Sequence, residues 1–354
     1  MTEFDALVVG AGVAGCATAL ELASAGWRVG ILHQRDSVPA MESLSPAAVR
    51  YLNRLSIRIG FGLSAIVAWW GSEREARAVQ RDAVIVQRWA LADNLRVRAI
   101  EAGATVIEGG KLGCIERFRE GWRVIYEITF SDHRRLTAKY LVDGTGRASV
   151  IGRRLGAHRL LFDQLFCISV SVHEPGLVGV WTESTSNGWW NLCCVREEGT
   201  LSFYSTAQRI RETKRDIAGH FYETRHLRYL LPTPTFDNRS VRPCSSSRLV
   251  PCAGRGWISV GDAASTLQPL ASAGVSKAIR DAQIVRRALE VKSANYDHFQ
   301  LAEFHAYLRQ LEQHYALERR WSDSPFWAVS SPEPYGLDAG SRDTSRSAMV
   351  CLRG

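Results

Sequence analysis

The chain has 354 residues, 46% of them hydrophobic and 23% charged, with a formal net charge of +8 and a pI near 9.2. That length allows one large domain or two medium ones, and the balance is that of a globular protein. No apolar run is long enough to span a bilayer, so no membrane partner is expected.

The start, Met1-Thr2-Glu3-Phe4-Asp5, is acidic and enters a strand directly. It reads as a cytoplasmic protein without a signal peptide. The arginines are spread along the sequence and form no dense block. This argues against nucleic acid as a partner, and a phosphate-bearing cofactor accounts for part of the charge. Eight cysteines occur without a CxxC pair or metal-like histidine spacing. They read as small buried residues in a reducing compartment, with no metal site.

The first motif lies at the N-terminus. Ala6-Leu7-Val8-Val9 is an apolar run suited to a buried parallel strand. It leads into Gly10-Ala11-Gly12-Val13-Ala14-Gly15, and then into strong helix formers from Cys16 to Ala23. Gly26 ends the helix, and Trp27 to Leu32 reads as a second strand. Strand, glycine turn, helix and strand in this order form the dinucleotide fingerprint. Gly10 permits the tight turn, Gly12 lets a pyrophosphate approach the backbone, and Gly15 allows helix to pack on strand. The helix start, at Val13 and Ala14, offers N–H groups to the phosphates. The acidic residue that usually ends the second strand is replaced by His33, followed by Gln34, Arg35 and Asp36. Either His33 or Gln34 bonds the ribose, or Asp36 reaches back, or the contact is lost.

The second motif is Tyr140-Leu141-Val142 followed by Asp143-Gly144-Thr145-Gly146, a strand-end turn suited to backbone contact with a cofactor. An ordinary Asp-Gly turn reads the same way. The third is the strand Gly256 to Val260, then Gly261-Asp262-Ala263-Ala264, then Pro269 to Val275 leading into a helix.

The third motif resembles the second FAD fingerprint of the glutathione-reductase-type flavoprotein hydroxylases. The resemblance implies FAD as cofactor, with Asp262 on the ribityl chain and Pro269, Gly274 and Val275 beside the isoalloxazine. It implies a two-domain α/β flavoprotein: a Rossmann-like FAD-binding domain with an interleaved, mostly antiparallel substrate sheet. The FAD-binding part is expected over 1–160 and 245–295, with 60–85 possibly on the substrate side. The sheet is expected over 161–244, a helical segment over 296–330 and a tail over 331–354.

Within that superfamily the chain resembles the tryptophan-halogenase-like branch. Glu42-Ser43-Leu44-Ser45-Pro46 looks like its "GES-x-x-P" segment, Gly188-Trp189-Trp190 like its "GWW" strand, and Arg320-Trp321 to Phe326-Trp327 like its "RW…FW" ending. Arg88, before a helix, matches an arginine that often contacts flavin there, and Ser43 joins it as a cofactor residue. Halogenases of the branch hold hypohalous acid with a lysine after the ES motif, yet the first lysine here is Lys111. They carry a glutamate in the PLxSxG turn, where this chain has Ala271.

The resemblance is greater to the LodB-, GoxB- and QhpG-type maturation flavoproteins, although Gln268 stands where many have Asp before Pro-Leu. It implies oxygenation of a tryptophan in a partner precursor protein during biogenesis of a tryptophylquinone cofactor. The co-reactants are molecular oxygen and either NAD(P)H or a separate flavin reductase. The alternatives are a monooxygenase or reductase of a small aromatic or isoprenoid molecule, a halogenase, and a flavin-binding chaperone. No catalytic residue is assigned. Trp181, Trp189 and Trp190 are candidate pocket walls or core residues. Trp69-Trp70 is a candidate peptide-binding surface, or else is buried against the FAD domain. His173, His220 and His226 read as structural.

Overall fold

A computed structural model describes residues 2–33, 40–108, 111–129, 132–231, 236–291 and 293–330. Gln34, Arg35, Asp36 and the tail after Ser330 lie outside the described residues.

The apolar run forms β1 (Thr2–Val9), in which Ala6, Leu7 and Val8 are wholly buried. The helix α1 (Val13–Ser24) is built of small and aliphatic residues and is buried on nearly every side, packed against other helices and the sheet. After β2 (Val29–His33) come β3 (Met41–Leu44), α2 (Pro46–Arg54), β4 (Phe61–Trp69) and β5 (Ala76–Gln87). Ser45 caps α2, accepting from the Ala48 N–H, and Pro46 starts the helix where its missing N–H costs nothing. Next are α3 (Arg88–Glu101), β6 (Thr105–Glu108), the hairpin β7 (Lys111–Phe118) and β8 (Gly121–Thr129), and then β9 (Asp132–Asp143).

The middle of the chain gives α4 (Val150–Arg154), β10 (His158–Leu161) and a long hairpin, β11 (Phe166–Thr185) and β12 (Gly188–Ser205). Three short helices follow, α5 (Ala207–Arg215), α6 (Ile217–Tyr222) and α7 (Leu227–Leu230). The chain continues through β13 (Asp237–Pro243), β14 (Ser247–Val250), β15 (Ala253–Gly254), β16 (Trp257–Ser259) and β17 (Ser265–Thr266). It ends in α8 (Gly274–Val291), α9 (Ser293–Tyr315) and α10 (Pro325–Ser330).

Two large sheets result. The first runs β15-β16-β9-β1-β2-β6, and from β16 to β6 every pairing is parallel, with β8 and β7 added antiparallel beside β9. The second runs β12-β11-β4-β5-β3, with β13 on β11; its pairings are antiparallel except β11 with β4. The early segment from β3 to β5 therefore lies in the second sheet.

Alternation along the β11–β12 hairpin sorts its residues between two faces. Ile168, Val170, Trp190, Leu192, Cys194, Leu201 and Phe203 pack with Ile210, Ile217, Phe221 and Leu227 of α5 to α7. Cys193 belongs to a different cluster from Cys194, with Val180 and Ile85, so the adjacent cysteines do face opposite ways. Trp189 stacks on Tyr204 at 3.8 Å between centroids and joins Trp70, Tyr315 and Trp327.

These placements decide between alternatives that the sequence left open. Trp189 and Trp190 are each 1% exposed and are core residues on opposite faces, not pocket walls. Trp69 and Trp70 are buried, so they form no peptide surface, and their partners are not the FAD-side sheet. Trp69 stacks on His226, and Trp70 packs on Trp189, Tyr315 and Trp327 while donating to the His314 carbonyl. Trp69 ends β4 and Trp70 follows it, and the two rings join different clusters, both of them buried.

The "RW" ending holds the C-terminal segment to this sheet. The Glu318 carboxylate accepts from the Gly71 N–H at 2.8 Å, Ser184 Oγ at 2.6 Å and Arg320 Nη2 at 2.6 Å. Burial opposes its ionisation, but the Arg320, Ser184 and Gly71 hydrogen bonds outweigh it and hold its pKa below the usual value. A carboxylate with a depressed folded pKa stabilises fully above its unfolded pKa and loses that contribution as pH falls through the folded value. Glu318→Gln should therefore cost about 3 kcal/mol at neutral pH. The gap from wild type should narrow in acid below the usual carboxylate pKa, as read by denaturant melts at both pH values.

Candidate active site

Three turns meet at the carboxyl ends of β1, β9 and β16. Gly10 has φ +103°, and a Cβ there would lie 2.4 Å from the Gly144 carbonyl oxygen. A Cβ on Gly15 would lie 1.9 Å from the Gly10 oxygen. Gly261 has φ +58°, and its Cβ would lie 2.5 Å from that of Ala14. The first motif thus touches the second through bare backbone and the third through the Ala14 methyl, so these glycines are required by the protein's own packing.

Gly12 differs. Its φ is −74°, open to any residue, and a Cβ there would meet no atom within 4 Å. Gly274 likewise has nothing within 4 Å. Both line a cleft of about 280 Å³, shared with Val13, Ala14, Ser43, Arg88, Gly146, Asp262, Pro269 and Val275. No side chain caps the start of α1, and its first turn carries no acidic residue. A bare backbone with no internal reason to be bare, beside an uncapped helix start, fits a phosphate-bearing ligand.

Of the expected cofactor residues, ten line this cleft, Gly10 and Gly15 build the junction beneath it, and His33 does neither. His33 ends β2 opposite Glu108. His173, His220 and His226 do not line the cleft.

Asp143 is structural. Its buried carboxylate accepts from Thr145 Oγ1 at 2.6 Å, the Thr145 N–H at 3.1 Å and the Gly152 N–H at 2.9 Å, which sets the turn. Burial pushes its pKa up, and these hydrogen bonds offset only part of that. Arg88 pairs with Glu42, its Nε 2.7 Å from Oε1, and the Glu42 charge raises the arginine's pKa. Arg147 Nε lies 3.7 Å from the Asp262 carboxylate, and its Nη1 donates to the Pro243 carbonyl at 2.7 Å.

Several positioning residues were not foreseen from sequence. Asp281 Oδ2 accepts from the Gly261 N–H at 2.8 Å, and Lys277 Nζ donates to the Gly261 carbonyl at 2.9 Å. Lys277 and Asp281 are themselves paired at 2.6 Å, both buried, so one ion pair grips both polar groups of the residue before Asp262. Their i,i+4 spacing on an otherwise apolar helix face was the available signal. Arg159 donates to the Asp262 and Ala263 carbonyls, each at 2.9 Å, and to Ser149 of the second motif. Burial lowers its pKa to about 10. Gln268 is held by Tyr307, which accepts from its N–H at 2.7 Å, and by Tyr315, which donates to its side chain at 2.9 Å.

A family model described as "FAD binding domain" matches residues 5–42. Along most of its length the chain is similar to the putative FAD-dependent oxidoreductase LodB of Marinomonas mediterranea. The two are 26% identical over 361 residues, covering 92% of this chain and 96% of that one. This chain is an FAD-dependent oxidoreductase. Two solved structures share its fold. One is the myxobacterial chondrochloren halogenase CndH, with a TM-score of 0.80 and 20% identity, over 95% of this chain and 87% of that. The other is QhpG, a peptidyl tryptophan dihydroxylase essential for tryptophylquinone cofactor biogenesis. It has a TM-score of 0.72 and 21% identity, over 94% of this chain and 80% of that.

Two glycine substitutions in the oxidoreductase should separate architecture from ligand contact. Gly15→Ala should destabilise the fold by about 3 kcal/mol, because its methyl strikes backbone. Gly12→Ala should melt like the wild type yet bind FAD at least about tenfold more weakly. Thermal melts and flavin titration of the refolded apoprotein check both.

Proposed function

We propose that this oxidoreductase is a monooxygenase that hydroxylates a tryptophan in a partner precursor protein during biogenesis of a protein-derived tryptophylquinone cofactor. The observation that carries the reading is the make-up of the cleft. From β11, β12 and β13 it takes Val180, Asn191, Cys193, Thr200, Ser202, Tyr204 and Arg242, and no lysine among the described residues lines it. Lys277, at the back of the site, is already engaged by Gly261 and Asp281. The lysine and glutamate that halogenases of the branch use are thus both missing, while the flavoprotein framework is kept. The similarity to LodB over nearly the whole of both chains, and the shared fold with a peptidyl tryptophan dihydroxylase, support the same reading.

FAD bound in the cleft would supply the electrons that activate molecular oxygen, drawn from NAD(P)H or a separate reductase. The chain's part is to bind, orient and exclude water. Gly12, Val13 and Ala14 would face the pyrophosphate, and Asp262 the ribityl chain. The start of α8, at Gly274 and Val275, would place its positive end by the isoalloxazine. Tyr204 remains a neutral phenol, since burial raises its pKa well above the usual value. An indole ring is electron-rich, so oxygen transfer to it needs presentation rather than a strong acid or base.

The test is to purify the tagged protein from its native host and take peptide mass spectra of whatever accompanies it. The proposal expects a near-stoichiometric protein whose tryptophan gains oxygen mass only when this gene is intact. A flavoprotein that emerges alone, with every candidate tryptophan unchanged on deletion, overturns it and points to a small aromatic or isoprenoid substrate.

A further inference from the structure

The charges around the cleft do not cancel. Three arginines line it, Arg88, Arg147 and Arg242, against two carboxylates, Glu42 and Asp262. Arg88 is matched by Glu42 and Arg147 by Asp262. Both of those pairs sit among the three FAD motifs and the ES segment. Arg242 comes from the other side. It lies on β13, directly opposite Cys167 of β11, and among the described residues it is the one charged residue that β11, β12 and β13 bring to the cleft. No carboxylate among the described residues lies within ion-pairing distance of it. Its neighbours are the Cys167 and Cys244 thiols and the Tyr204 phenol. The rest of that wall is neutral: Asn191, Thr200 and Ser202 are polar, and Ser202 Oγ is shared with Ser169 at 2.8 Å.

A half-buried guanidinium facing a cleft without a matching anion is a receptor for one. We propose that Arg242 is a substrate-orienting residue, whose guanidinium binds a carboxylate carried by, or adjoining, the aromatic ring to be oxidised. In the protein-substrate reading, on which this inference rests, that carboxylate belongs to an aspartate or glutamate beside the target tryptophan. The same chemistry would come from a small aromatic acid.

Cys167 is the competing partner. Burial opposes its ionisation, but the Cys244 hydrogen bond and the Arg242 charge favour it, leaving its pKa lowered to about 7. A thiolate makes weaker hydrogen bonds than a carboxylate and lacks its two-oxygen match to a guanidinium, so the carboxylate should win.

The test is a spectral titration of the FAD-loaded protein and needs no turnover. Indole is compared with indole-3-acetate, and a blocked peptide with tryptophan between two aspartates is compared with its two-asparagine twin. The acid of at least one pair should perturb the flavin spectrum with about tenfold tighter binding than its neutral twin. Arg242→Gln should abolish that preference with FAD content unchanged, Arg242→Lys should keep part of it, and Cys167→Ser should keep it or enlarge it. A preference confined to the peptides assigns the carboxylate to the partner protein. A preference confined to indole-3-acetate supports the subsite while counting against a protein substrate. Equal binding of acid and neutral twins in both pairs overturns the proposal. So does an Arg242→Gln protein that has lost its FAD, since Arg242 would then serve the cofactor's phosphates. Loss of the preference in Cys167→Ser overturns it too.

Discussion

Two chain segments can come this close only where a glycine removes a side chain, and the whole site rests on three such approaches. Gly10 lies against Gly144, Gly15 against Gly10, and Gly261 against Ala14. The first and third bring segments more than a hundred residues apart to one edge of a parallel sheet, where strand ends and a helix start converge. Everything that could bind a phosphate or ribityl chain is hung from this junction. The Lys277–Asp281 pair and Arg159 then fix the third turn by gripping its backbone groups, not its side chains. A buried ion pair is a costly way to hold a turn, and it is tolerated here because each charge has several hydrogen-bonding partners.

The second sheet solves a different problem. One face is covered by α5 to α7, and the other divides between an aromatic cluster closed by the C-terminal segment and the wall of the cleft. Trp189 and Cys193 lie on this same face, two register steps from Asn191 between them, so the aromatic core grades directly into the site. The Glu318 contacts with Gly71, Ser184 and Arg320 tie the end of the chain to the sheet's outer end. The tyrosines of α9 reach Gln268 in the turn before α8. The sheet wall of the cleft, the turn before α8 and the segment from α9 to Arg320 are thus one connected hydrogen-bonded body.

Much of this was legible in the sequence, and the reason is local. The glycine fingerprint, the Asp143-Gly144 turn and the Gly261-Asp262 turn each declare themselves within a few residues, since turn geometry demands particular residue types. What stayed hidden is what depends on distance. Trp69, Trp70, Trp189 and Trp190 carry no mark of which face is covered, so wall, surface and core read alike. Arg159, Lys277, Asp281 and Arg242 look like ordinary charged residues until the fold places the first three on the backbone of the Gly261-Asp262 turn and Arg242 at the cleft. His33 stands where an acid is usual, and it ends β2 opposite Glu108.

The central claim is that a halogenase-like framework without a cleft lysine transfers oxygen to a protein tryptophan. The most direct measurement mixes the reduced, FAD-loaded protein with isotopically labelled dioxygen, a tryptophan-bearing segment of its partner and excess bromide, and reads the peptide mass. The account predicts labelled oxygen on the tryptophan and no bromine. Brominated tryptophan, or a peptide left unchanged while the flavin is reoxidised, would contradict it.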